Sequence, residues 1–93
     1  MTHPAFTSQS VAVITGGASG IGLAAATHFA GMNMRVVIVD RAADKLAAAS
    51  ETLRAAGAAD VMTSAADVSD KEQLQVLEQD IADRFGGTDI LMN

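Results

Sequence analysis

Ninety-three residues make one domain at most, and nineteen alanines against three aromatic residues, all phenylalanine, leave that domain a thin core. Eleven acidic residues outweigh six basic ones for a net charge of −5 with no basic cluster, which argues against a nucleic-acid partner. The absence of cysteine excludes disulfides, thiolate nucleophiles and thiolate metal sites, and suits a reducing, cytoplasmic location.

Residues 1–10 carry neither a basic cluster nor a long apolar run, so they are read as a flexible arm rather than a signal peptide or membrane span. The apolar stretch Val11–Thr15 predicts a first strand. Gly16, Gly17, Gly20 and Gly22 then place four glycines in seven positions, and a helix is expected from Gly20 to Ala30 with Gly31 as its left-handed stop. A second apolar strand, Arg35–Val39, ends on Asp40. The next helix spans Ala42–Ala56, with Leu46, Ala49, Ser50 and Leu53 on one face and Gly57 beyond its end. A third strand falls near Asp60–Ser64. Ser69-Asp70-Lys71-Glu72 reads as a capping box opened by Ser69, and the helix behind it turns Leu74, Leu77, Ile81 and Phe85 inward before Gly86-Gly87 stops it. A fourth strand begins at Asp89 and runs to Asn93. Strands alternating with helices, without a hairpin signal, predict an α/β domain over residues 1–93 with a parallel sheet and helices on its faces.

Glycines between a buried strand and a helix let backbone N–H groups approach a diphosphate closely, and the positive end of the helix dipole adds to the attraction. A branched side chain at Gly22 is expected to fill the diphosphate space. Asp40 stands eighteen residues beyond Gly22, the spacing at which a dinucleotide-binding unit sets an acid against the adenosine ribose hydroxyls. A carboxylate there favours NAD over NADP, whereas Arg41 beside it offers a cation to a 2′-phosphate.

The run Thr15-Gly16-x-x-x-Gly20-x-Gly22, followed by Asp40, Asp67-Val68 and Asp89-Ile90-Leu91-Met92-Asn93, resembles the short-chain dehydrogenase/reductase family from Val11 onward. The resemblance implies a Rossmann-type doubly wound sheet in the order 3-2-1-4, cut after the fourth strand. It implies that Gly16, Ser19, Gly20, Ile21 and Gly22 contact the cofactor and that Asp40 holds the ribose. It also implies that Asp67 and Val68 meet the adenine and that Asn93 opens the family's Asn-Asn-Ala-Gly motif. Read without the family, Asp67 is a helix-proximal acid near Ser69.

The family's acid/base set is a serine with a Tyr-x-x-x-Lys pair, and this sequence contains no tyrosine. Lys45 and Lys71 neighbour acidic residues and read as solvated pairs, and His3 and His28 lack triad partners, so no catalytic residue is assigned. Glu78, Asp80 and Asp83 read as a solvated acidic face rather than a metal site.

The expectation is therefore the NAD-binding part of an oxidoreductase that moves hydride between the cofactor and a small alcohol or carbonyl substrate. The missing C-terminal half is expected as a continuation of the chain or as a partner chain, without which the 93 residues are inactive. The alternative is a non-catalytic nucleotide-binding module that needs a partner.

Overall fold

The computed structural model describes residues 9–92; Asn93 and most of the expected arm lie outside that range. Seven elements follow in order: β1 (Val11–Thr15), α1 (Gly20–Gly31), β2 (Arg35–Asp40), α2 (Ala43–Ala56), β3 (Asp60–Ala65), α3 (Lys71–Phe85) and β4 (Ile90–Met92). The sheet has the order β3-β2-β1-β4 and all its pairings are parallel. This is the Rossmann-type arrangement that the alternating pattern and the resemblance predict.

Side chains alternate across a strand, so each strand feeds two cores. Ala12, Ile14, Val36, Ile38 and Val61 face α1 and α2, meeting Ala26, Ala30, Leu46, Ala49 and Leu53. Val11, Val13, Val37 and Val39 face α3, meeting Leu77, Ile81 and Phe85. Both faces of β2 are covered, which is why Val36–Val39 read as an unbroken apolar run. Ser50 and Leu74 are only half-buried. At the start of the sheet Asp89 locks β4 to β1, its N–H donating to Val11 O at 2.9 Å and its Oδ2 accepting from Val11 N–H at 2.8 Å.

Two helix ends differ from expectation by a residue or two. Gly31 belongs to α1, and the left-handed residue is Asn33 at φ 60°, whose N–H reaches Ala30 O at 2.9 Å. Asparagine is the non-glycine residue that tolerates this conformation best, so the turn is delayed until it arrives. The cap of α3 is Asp70 rather than Ser69: its Oδ1 accepts from Glu72 N–H at 3.0 Å and Gln73 N–H at 3.2 Å. Gln73, three residues on, donates Nε2–H to Asp70 Oδ2 at 3.2 Å, but the Asp70 N–H goes to Asp67 O at 3.0 Å, so Asp70 is an N-cap without the reciprocal bond of a capping box. The Ser69 hydroxyl points the other way, donating to Asp67 Oδ1 at 2.6 Å, one residue ahead of the cap position.

Candidate nucleotide-binding site

Parallel strands deliver the segments after β1, β2 and β3 to one edge of the sheet, the edge where open α/β sheets bind ligands. After β1, Gly16 and Gly20 take φ values of 68° and 59°, which glycine adopts without steric cost. The N–H groups of Gly16 and Gly17 both donate to Val39 O, at 2.7 and 3.3 Å, and that of Ala18 to Asp40 Oδ2 at 3.3 Å. The first half of the loop is thus bound to the end of β2.

The second half is not. The helical ladder of α1 opens with Leu23 N–H to Ser19 O at 3.2 Å, and Ser19 at the N-cap contributes no side-chain cap. The N–H groups of Ser19, Gly20, Ile21 and Gly22 therefore precede the ladder, at the positive end of the helix dipole. Four consecutive donors over one turn can hold a diphosphate. The Ile21 side chain projects beside them, 88% exposed.

Gly22 meets a further requirement in this loop. A Cβ on Gly22 would lie 2.1 Å from Gly16 O and 2.8 Å from Gly16 C, so the excluded space is filled by the loop itself before any ligand arrives. Gly17 has a similar constraint that the sequence reading missed: its Cβ would meet Ile38 Cγ2 at 2.7 Å. Gly22 lets the helix start approach the loop backbone and Gly17 lets the loop approach the core at Ile38, through-space requirements with no local signature.

Asp40 ends β2 with both carboxylate oxygens engaged, Oδ2 by Ala18 and Oδ1 by Ala42 N–H at 3.0 Å. The Ala42 bond holds its carboxyl below the ordinary range; partial desolvation opposes this, and the Ala18 N–H and Lys45 support it. Each oxygen retains acceptor capacity for a hydroxyl.

Asp40 stands in register with Ala65 at the end of β3, so the next two loops are neighbours. A cavity of about 200 Å³ opens between them, lined by Arg41, Ala65, Ala66, Asp67 and Gln73. Asp67 Oδ1 accepts from the Ser69 N–H at 2.9 Å and its hydroxyl at 2.6 Å, and Oδ2 lies 4.0 Å from Arg41 Nε. The Ser69 bonds, hydroxyl first, hold the Asp67 carboxyl below its usual value. Gln73 Oε1 fixes the Asp67 N–H at 2.9 Å. The sequence reading passed over Gln73; its place three residues after Asp70 was the available signal. Val68 borders a different hollow, with Thr15, Ser69, Leu74, Glu78 and Leu91. Among the described residues no group of three or more His, Cys, Asp or Glu side chains is placed to hold a metal, and no helix is long and apolar enough to cross a membrane.

The sequence profile of short chain dehydrogenases matches residues 10–93. The chain belongs to the short-chain dehydrogenase family. Among the curated members of that family, 1-deoxy-11-beta-hydroxypentalenate dehydrogenase of Streptomyces avermitilis is 44% identical over 84 residues, 90% of this chain and 31% of that protein. L-sorbose reductase from Gluconobacter frateurii, solved with NADPH and L-sorbose, superposes with a TM-score of 0.83 at 40% identity, over 88% of this chain and 31% of the reductase. A short-chain dehydrogenase/reductase from Burkholderia phymatum in complex with NAD gives 0.81 at 41% identity, over 88% and 29%. The chain thus spans about a third of the length of these short-chain dehydrogenases. The family is an oxidoreductase family that binds nicotinamide dinucleotides, and the two solved relatives differ in which dinucleotide they hold.

Proposed function

We propose that this segment is the cofactor-binding part of an oxidoreductase that exchanges hydride between NAD(H) and an alcohol or carbonyl substrate, with NAD preferred to NADP. The observation that carries the reading is the run of four N–H groups, Ser19 to Gly22, left outside the α1 ladder beside the Asp40 carboxylate. These donors hold the diphosphate. Gly16 and Gly20 give the loop its turn, and Ile21 covers the cofactor beside it.

Asp40 accepts the ribose hydroxyls and repels a 2′-phosphate. Asp67 accepts from the adenine amino group in the cavity it shares with Arg41 and Gln73, and Val68, which borders a separate hollow, offers its backbone N–H to the ring. Asn93, outside the described residues, is assigned to cofactor binding on the family motif alone. A bound nicotinamide supplies or accepts the hydride.

Proton transfer to or from the substrate oxygen needs a titratable group near neutrality, and the 93 residues contain no tyrosine with a lysine four positions beyond. We therefore assign binding to this segment and the acid/base work, with the substrate pocket, to the remainder of the protein, in a cytoplasmic enzyme. On the same grounds residues 1–93 alone are expected to turn over no alcohol. The remainder would also cover the exposed Leu91 on β4.

Calorimetric titration of the complete protein with NAD and NADP tests the reading. NAD binds more tightly, and Asp40→Ala loses about 10- to 100-fold in NAD affinity, since each hydrogen bond to a charged group contributes about 1.5–3 kcal/mol. Tighter NADP binding in the wild type, or unchanged NAD affinity in Asp40→Ala, would overturn the preference.

A further inference from the structure

Three consecutive N–H groups of the glycine loop end on two consecutive residues of β2. Gly16 and Gly17 are held by the Val39 carbonyl, and Ala18, the last residue before the helix cap, is held by the Asp40 side chain at 3.3 Å. The other oxygen of the same carboxylate holds Ala42 N–H at 3.0 Å, at the entrance to α2. Asp40 therefore ties the start of the α1 cap to the start of α2, and the four open N–H groups begin at the very next residue, Ser19.

We propose that Asp40 is a positioning residue for the diphosphate cradle, acting through the Ala18 N–H, separately from any hydrogen bond it makes to ribose. The inference rests on the nucleotide-binding reading above. A donor group preorganised by the fold binds an anion better than one that must be ordered on binding. The Ala18 bond fixes the backbone from which the cradle departs. The Gly16 and Gly17 bonds stop two residues short of it.

The sign of one effect separates this role from simple electrostatics. A carboxylate near an anion site repels the anion, so if Asp40 acted only through its charge and through ribose, neutralising it would leave the affinity for a hydroxyl-free diphosphate unchanged or raise it. Loss of the anchor lowers that affinity instead.

The complete protein, its Asp40→Asn variant and its Asp40→Ala variant are to be titrated with ADP and with 2′,3′-dideoxy-ADP at constant ionic strength. Asp40→Ala, which has no acceptor for the Ala18 N–H, is expected to lose about three- to tenfold in affinity for dideoxy-ADP, the worth of about one hydrogen bond. Asp40→Asn removes the charge but keeps one acceptor oxygen, so its dideoxy-ADP affinity follows whether that oxygen stays on Ala18. Asp40→Ala loses more for ADP, which also forfeits the ribose contacts. Amide exchange supplies a readout independent of ligand: in Asp40→Ala the Ala18 N–H loses protection while Leu23, inside the α1 ladder, keeps it. Dideoxy-ADP affinity that is unchanged or increased in Asp40→Ala, or full Ala18 protection in that variant, would overturn the positioning role. Wild-type protein that binds neither nucleotide would refute the nucleotide reading itself, and this role with it.

Discussion

The nucleotide edge has two halves built by different means. On the β1–β2 side the loop is held by backbone N–H groups on fixed acceptors at 2.7–3.3 Å, and glycine contacts too close for any side chain set its shape. On the β3–α3 side the geometry belongs to side chains of an exposed loop, and its Asp67 stands 4.0 Å from Arg41 of the β2–α2 loop, which is 80% exposed. On the proposed reading, the fold itself dictates where a diphosphate binds. Which base and which ribose substituent accompany it depends on a few solvent-facing groups, each worth little in isolation. A family built this way can retune its cofactor without rebuilding its sheet, consistent with the NADPH and NAD held by the two solved relatives.

The contrast breaks most visibly at Gly22. Gly22→Val forces a Cβ into the Gly16 carbonyl, and backbone cannot yield as a flexible side chain does. The expected cost is about 3 kcal/mol or more, read as a lowered denaturant midpoint, together with loss of nucleotide binding. Stability and binding fail together here because the loop is both core packing and cradle. A Gly22→Val protein of wild-type stability would show that the close approach is not needed.

A smaller effect is expected from Asp70, whose carboxylate caps α3 and fixes Gln73. Asp70→Ala lowers stability by about 1 kcal/mol, as the loss of an N-cap does, and loosens the base side without touching the diphosphate side. Thermal melts check the first part. Equal losses in ADP and pyrophosphate affinity would contradict the second.

Acid sharpens the comparison further. Asp60 bridges α2 and α3 through Arg54 at 3.6 Å and Arg84 at 3.2 Å. Burial acts to raise its pKa but is outweighed by the Val61 N–H and the Arg84 guanidinium, so its carboxyl lies below the ordinary range. A lowered folded-state pKa contributes stability that is present above the unfolded value of about 3.9 and is lost as pH falls through the folded one. Asp60→Asn should therefore melt earlier than wild type at pH 7, by less than about 1 kcal/mol for so exposed a group, with the gap closing at the acid end of the titration. A gap that persists in strong acid would mean the residue acts through packing instead.

The smallest change is expected from Arg41→Ala. Removing a solvated cation beside the ribose site should lower the NADP-to-NAD affinity ratio by about two- to fivefold, the scale of an exposed charge interaction, and more salt should shrink the difference. Parallel titrations of both dinucleotides at low and high salt measure it.

Much of this architecture was legible because periodicity is local. Val11–Thr15 and Arg35–Val39 announce buried strands, and Leu46, Ala49 and Leu53 announce the inner face of α2, within a few residues of each other. What stayed hidden depends on competition through space. Ser69 has the chemistry of a cap, yet its hydroxyl donates to Asp67 and the cap is Asp70, one residue on. Gly31 has the freedom to end α1, yet the helix continues to its last turn and Asn33 takes the positive φ. The spacing to Asp40 pointed to ribose, whereas its bond to Ala18 joins residues twenty-two positions apart and leaves no trace in either segment. The sequence ties Gly22 to diphosphate space and close backbone approach; the contact with Gly16 O is a further requirement that only the fold reveals.

The central claim is that the N–H groups of Ser19 to Gly22 receive the diphosphate. Amide chemical-shift mapping of the complete protein during an NAD titration tests it most directly. The account predicts that the largest shifts fall on Ser19, Gly20, Ile21 and Gly22, with secondary shifts at Asp40 and Asp67. Saturable binding with shifts confined to other surfaces, leaving these four amides unmoved, would contradict it.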